Sequence, residues 1–252
     1  MQIPVYLINL STSPERLEKS NKRLTEQNIE YTRVEGVLGK ALSQQEVDLH
    51  YSKAVNSAKY HTPLTLGQIG CYYSHRKVWQ LIAEGDAPFG VIMEDDFHLT
   101  GDLQKAIDTI KSLSIEWDLI KLAAYQSRER KIAYSQPINA VFNLVVHSKA
   151  MSGGAATALT KEAAKRLLAA TDKFGRPCDS DIQHMWETGV DVLSLMPYPV
   201  SQDMDFESTI SAKKEPRKKY FWKRKLQQLK ASIANKKAVK GQISRLQRHF
   251  DK

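Results

Sequence analysis

Two rhythms of apolar and polar positions divide the first 200 residues. Short runs rich in β-branched and aromatic side chains recur at Ile3–Asn9, Tyr31–Val37, Phe89–Met93, Trp117–Ala123, Val141–His147 and Val190–Leu195, each bounded by turn-forming residues. Such runs predict strands. Helical spacing fills the intervals. Ser13-Pro14-Glu15 offers an N-cap, a proline at the first helical position and an acid in the first turn, for a helix to about Gln27. Ser43–Glu46 is a capping box, and Thr65–Glu84 is a helix stopped by Gly85. Asp102–Leu113 places Leu103, Ala106, Ile107 and Ile110 on one stripe. Thr160 caps an Ala-rich helix, and Arg176 leads into a helix through Trp186 that Gly189 ends. Residues 51–64 and 124–137 have no clear period and read as loops. The alternation predicts one α/β domain over residues 1–210.

The chain is organised around Phe89–Leu99, FGVIMEDDFHL. A continuous apolar run between turn signals reads as a strand buried on both faces, as in a parallel sheet. It runs into Glu94-Asp95-Asp96, three carboxylates that are costly to bury together without a cation or water. Ligands bind at the carboxyl ends of strands in open α/β sheets. The triplet therefore reads either as a hard divalent cation site or as a solvated acidic turn. Arg16, one turn after the first strand, would lie at the same edge and could meet a diphosphate or pair locally. Gly67 and Gly70 cost helix propensity of ~1 kcal/mol each, which implies close approach of a ligand or another element. Gly153 and Gly154, followed by small residues, suggest the same or tight strand packing. Ser74 and His75 are neighbours about 100° apart on a helix, which suits binding or packing better than a nucleophile–base pair. Asp179 and Asp181 are candidate acids or capping groups.

Composition changes the picture at one end only. Residues 213–252 carry 15 Lys/Arg against 2 Asp/Glu, leaving 22 against 26 in the first 212, so the net charge of +9 belongs to the extension. There Trp222, Leu226, Leu229 and Ile233 step at helical spacing among basic clusters, and Val239, Ile243, Leu246 and Phe250 repeat the pattern. A basic amphipathic helix over 211–252 suits an anionic membrane surface; packing on the body and nucleic acid are the other readings. No apolar run approaches the ~20 residues that span a bilayer. The opening MQIPVYLINL lacks a basic n-region and reads as a first strand, and Cys71 and Cys178 suit a reducing cytoplasm.

Four stretches in order, VYLINLSTSPERL (5–17), LTLGQIGCYYSHRKVW (64–79), VIMEDDFHL (91–99) and GGAATALTKEAAKRLL (153–168) with Pro177-Cys178-Asp179, resemble glycosyltransferase family 25, the lipopolysaccharide and lipooligosaccharide biosynthesis enzymes. The likeness covers residues 5 to about 203. The family's Gly-Glu-Ile-Gly-Cys reads Gly67-Gln68-Ile69-Gly70-Cys71 here, and its Pro-Val-Asp reads Pro177-Cys178-Asp179. The resemblance implies a GT-A-like fold and an inverting, Mn²⁺- or Mg²⁺-dependent transfer of a hexose, galactose from UDP-galactose, to a lipid-linked oligosaccharide. It casts Asp96, with Glu94 and Gln202 or Asp203, as metal ligands. Asn9, Leu10, Arg16, Glu94, Asp95, Ser74, His75, Gly153 and Gly154 would line the donor and its surroundings. Asp179, with Asp181 in reserve, would be the catalytic base. With the basic extension, this implies a cytoplasmic protein peripheral on a bacterial inner membrane, with no nucleic-acid partner. A metal-dependent sugar nucleotidyltransferase would carry a Gly-rich phosphate loop, and Ser11–Pro14 has no glycine. A non-catalytic carbohydrate- or nucleic-acid-binding module would not need the intact acidic triplet.

Overall fold

The chain opens with a β-α-β unit. Strand β1 (Val5–Asn9) leads into α1 (Pro14–Glu26), and β2 (Thr32–Glu35) returns parallel to β1. The computed structural model describes residues 1–125, 130–203 and 220–251. The chain continues through α2 (Gln44–His50), α3 (Lys53–Lys59) and α4 (Leu66–Glu84) into β3 (Phe89–Glu94) and β4 (Phe97–Leu99). Next come α5 (Leu103–Lys111), β5 (Leu119–Lys121), β6 (Ile132–Pro137), β7 (Asn143–His147), β8 (Ala156–Thr160) and α6 (Lys161–Ala170). The short helices α7 (Cys178–Ile182) and α8 (Met185–Thr188) precede β9 (Val192–Met196) and β10 (Val200–Gln202), and α9 (Phe221–Phe250) closes the described chain.

Eight strands form one mixed sheet in the order β2-β1-β3-β8-β5-β9-β7-β6, and β10 pairs antiparallel with β4 apart from it. The apolar run of β3 is buried through Val91, Ile92 and Met93, as its sequence requires. It is parallel to β1 and antiparallel to β8, so the sheet is mixed, as the GT-A-like resemblance implies, although the run by itself read as a strand of a parallel sheet. This antiparallel partner brings the start of β8 beside the end of β3, which positions the candidate site. Helix α4 lies against α6 and buries Tyr72, Val78, Trp79 and Ile82. Its Thr65/Gln68 capping box holds the first turn.

Three stretches differ from expectation for identifiable reasons. Lys53–Lys59 is a helix, capped by the Ser52 side chain on Val55 N, although it buries only Asn56 and so has no apolar stripe. Ile132–Pro137 is an edge strand whose alternate residues are exposed, so it lacks the apolar signature of the central strands; residues 126–129 lie outside the described residues. The expected helix through Trp186 is two, broken at His184 and ended by Gly189 at φ 66°.

The basic extension is divided. The boundary expected at 210/211 lies outside the described residues. In α9, Val239 and Leu246 are buried in the main core, each worth ~1.5–3 kcal/mol. Asn235 Nδ2 donates to Ser148 O (2.7 Å), Gln242 Nε2 to Val192 O (3.1 Å), and Arg245 pairs with Asp191. The first half instead exposes Phe221, Trp222, Leu226, Leu229 and Ile233, with Trp222 at 77%.

Candidate functional site

The three carboxylates at the end of β3 sit half-buried together because each turns to a different set of partners. Asp95 is saturated: Asn9 Nδ2 donates to its Oδ2 (2.7 Å), and the Arg16 guanidinium to its Oδ1 (3.1 Å). Asn9 is itself fixed, donating also to Ser13 O (3.0 Å) and accepting from Arg33 Nε (3.1 Å). Glu94 Oε1 lies 2.8 Å from His75 Nε2. Burial opposes the Glu94 charge, but the His75 hydrogen bond, with His75, Lys121 and Arg16 nearby, holds its carboxyl below the usual range.

Asp96 is different. Its Oδ2 accepts from Gln202 Nε2 (3.1 Å), while its buried Oδ1 has no hydrogen-bond partner among the described residues. Burial, and then the charge of Glu94, push it up to about 7. Asp203 lies next in the chain, but Arg23 (2.8 Å) and His98 (3.0 Å) engage its two oxygens, so it acts as a counter-ion rather than an open ligand.

Two cavities meet at this edge. The larger, about 620 Å³, is bounded by the β1–α1 turn with Asn9, Leu10 and Arg16, by Val37–Lys40, and by Ser74 and the acidic triplet. Ser74 Oγ accepts from Val37 N and donates to Gly70 O, both at 2.8 Å, so it ties α4 to the 36–40 loop that forms the wall. A Cβ on Gly70 would overlap Val37 O and crowd Gly39, so the close approach at this glycine is to another element.

The smaller cavity, about 320 Å³, is lined by Gln68, Trp79, Lys121, Tyr125, Gly153, Gly154, Cys178 and Asp179 among others. Cys71, His75 and Glu94 line both cavities and form the wall between them. Gly154 packs directly on that wall, where a Cβ would overlap Glu94 Oε1; Gly153 sits at φ +103°. The Gly153 carbonyl accepts from Lys121 Nζ at 2.6 Å, and burial lowers the Lys121 ammonium while Asp179 raises it.

The structure thus brings together Asn9, Leu10, Arg16, Ser74, His75, Glu94, Asp95 and Asp96 around one cavity and Gly153, Gly154 and Asp179 around the other. It turns Glu94 to His75 and Asp96 to Gln202. It also gives Asp181 a structural role: Tyr72 Oη (2.9 Å) and Arg176 (2.9 Å) hold its two oxygens, and it does not line the cavity. Sequence reasoning passed over Lys121, because one cation in a short strand resembles a surface position, and read Cys71 as outside any metal-type cluster, whereas the structure sets it beside His75 and Glu94.

The model of glycosyltransferase family 25 (LPS biosynthesis protein) matches residues 2–182. The chain belongs to glycosyltransferase family 25. Among curated family relatives, procollagen galactosyltransferase 1-A of Xenopus laevis is 34% identical over 149 residues, covering 56% of this chain and 24% of its own. Procollagen galactosyltransferase 2 of Mus musculus is 29% identical over 193 residues, covering 72% and 30%. The chain therefore spans about a quarter of the length of the curated family 25 relatives it matches. A solved structure, HddC from Yersinia pseudotuberculosis, covers 71% of this chain and 84% of its own at TM-score 0.33 and 13% identity, too slight a likeness to carry an argument. Among the described residues of this family 25 chain, no helix is long and apolar enough to cross a membrane.

Proposed function

We propose that this chain is an inverting glycosyltransferase that moves a hexose, galactose from UDP-galactose, onto a saccharide acceptor of lipopolysaccharide or lipooligosaccharide type. The observation that carries the reading is the pair of cavities with one shared wall, the acidic strand end on one side and Asp179 on the other. Family membership and the galactosyltransferase relatives support the donor class.

In this reading the larger cavity holds the nucleotide diphosphate. Arg16, braced by Asp95, presents a cation at the β1–α1 turn, where charge grows on the departing diphosphate. Asp96 and Gln202 offer an all-oxygen donor set, and the partnerless buried Oδ1 of Asp96 fits a hard Mn²⁺ or Mg²⁺ ion. Such an ion, when bound, neutralises developing phosphate charge. The acceptor sits in the smaller cavity, where Asp179 takes the proton from its attacking hydroxyl. Among the described residues Asp179 has one long hydrogen bond, from Ser180 Oγ at 3.5 Å, so its carboxylate remains available to a substrate. Gly154, having no side chain, lets the backbone close on Glu94 without filling the passage between the two substrates.

The exposed first half of α9 supports peripheral docking on an anionic membrane, where a lipid-linked acceptor resides. Phe221, Trp222, Leu226, Leu229 and Ile233 form its apolar stripe, with Lys223, Arg224, Lys225 and Lys230 beside it.

The test is a titration with UDP-galactose, UDP-glucose, UDP-N-acetylglucosamine and GDP-mannose, each with Mn²⁺ and with EDTA, beside Asp96→Ala. Metal-dependent binding of UDP-galactose, lost in Asp96→Ala, is the expected result. A folded protein that binds none of the four would overturn the transferase reading.

A further inference from the structure

The wall between the cavities has a chemistry that sugar transfer leaves unused. Cys71 and His75 are four residues apart on α4 and so project from one face of the helix. Glu94 reaches them from the end of β3. One potential ligand atom from each residue lies within 4.8 Å of the other two. The ligands of a tetrahedral Zn²⁺ ion, at ~2.0–2.3 Å from the metal, lie about 3.5 Å from one another. Closing the longest edge takes about 1 Å of side-chain movement, within the reach of a cysteine and a glutamate. Burial, and then the carboxylates of Glu94, Asp179 and Asp96, push the Cys71 thiol up, so the thiolate forms there with a cation bound to offset that field.

We propose that Cys71 Sγ, His75 Nε2 and Glu94 Oε1 form a binding site for a borderline divalent cation, Zn²⁺ in particular. A thiolate–imidazole–carboxylate set prefers Zn²⁺ to Mg²⁺ or Mn²⁺, the reverse of the oxygen-only preference at Asp96. Binding releases the thiol proton to solvent, and His75 gives up the Nε2 proton it shares with Glu94, its ring N–H then lying at Nδ1, so that two bonds to the metal replace the 2.8 Å hydrogen bond. Three protein ligands leave a fourth position for water or an incoming group. Because these residues form the wall common to both cavities, occupancy blocks the passage between donor and acceptor. Zn²⁺ is therefore an inhibitor of transfer that raising the donor concentration does not relieve. This consequence rests on the transferase reading; the metal site does not.

The experiment is Co²⁺ titration of the full chain, with Co²⁺ as the spectroscopic stand-in for Zn²⁺. Wild type, Asp96→Ala and Cys178→Ser are expected to show a thiolate-to-cobalt charge-transfer band that Zn²⁺ abolishes by displacement. In Cys71→Ser the band is absent and Zn²⁺ affinity falls ~100-fold or more, since loss of an outer-sphere partner alone costs 10–100-fold. Should Cys71→Ser fail to fold, wild type answers by itself: Zn²⁺ should protect Cys71 from alkylation, read by peptide mass spectrometry, and leave Cys178 unprotected. Absence of the band in wild type, its persistence in Cys71→Ser, or equal alkylation of Cys71 with and without Zn²⁺ would each overturn the site. Donor binding is measured separately, so loss of transferase activity and loss of the metal site give different outcomes.

Discussion

The two cavities share a wall but are built on opposite plans. On the larger side the polar groups are already committed: Asn9 and Arg16 hold the two oxygens of Asp95, and Ser74 is spent on two backbone groups. That leaves Asp96 Oδ1 as the buried carboxylate oxygen without a partner at the triplet, among the described residues. On the smaller side, Lys121, Cys178 and Asp179 are close enough to influence one another electrostatically, with few direct bonds among them. A rigid, pre-paired surface suits a diphosphate, whose growing negative charge is met by donors already in place. A less committed one suits a partner that must surrender a proton in place. The difference predicts that substitutions on the two sides will divide cleanly between donor affinity and turnover.

Asp96→Ala should have the largest effect, abolishing metal-dependent donor binding and lowering kcat/KM by ~10³-fold or more through lost charge stabilisation. Calorimetry with the nucleotide sugar checks the first effect, and initial rates the second. Asp179→Asn should lower kcat by ~10²–10⁴-fold while donor affinity stays within about twofold, the scale set by loss of a general base. A parallel loss of donor affinity would erase the contrast between the cavities. Arg16→Ala removes a charge-assisted hydrogen bond of ~1.5–3 kcal/mol, so donor KM should rise about tenfold or more, with kcat less affected. It also frees Asp95, and Arg16→Lys should recover only part of the loss because it lacks the planar fork.

The smallest effect is in pH. Burial, then the charge of Arg176, pushes His184 down to about 4, and its Nδ1 lies 2.6 Å from Ser180 O within α7. In the unfolded chain this imidazole titrates near ~6.5. Its contribution to stability is therefore complete above ~6.5 and is lost as pH falls toward the folded value, because only the unfolded chain gains the proton in that window. Thermal melts should show Tm falling over this range, and His184→Gln should flatten the fall.

How far this was legible depended on whether a signal was local. The run Phe89–Met93 and the acids after it were readable because burial and charge are written in consecutive residues. So were the caps at Ser43 and Thr160, each of which accepts from the expected backbone N–H, whereas Ser13, read as an N-cap, makes no side-chain capping bond. Ala156–Thr160 was ambiguous, because small residues serve a helix, a strand or a close approach equally well; the structure uses them as a buried strand just after Gly154 meets Glu94. Lys121 acquires its meaning only from Gly153, 32 residues away, and Asp181 only from Tyr72, 109 residues away. The division of α9 was hidden for another reason. Its two apolar stripes have the same spacing, and only the tertiary fold covers one of them.

That division also decides how the membrane reading is tested. Deleting 211–252 would strip Val239 and Leu246 from the core, so the informative variant is Trp222→Ser with Leu226→Ser and Leu229→Ser. It should lose most sedimentation with anionic vesicles while its melt is unchanged. Equal sedimentation would rule the stripe out. The exposed segment, residues 221–233, spans about 20 Å of helix and is continuous with the part bolted to the β7–β9 face. An anchor on a slack tether lets an enzyme tumble above a bilayer, whereas a stiff outrigger fixes its height and tilt. Docked this way, the body would meet its acceptor by gliding in a plane with its mouths always facing the same way, and the three-dimensional search would reduce to a two-dimensional one.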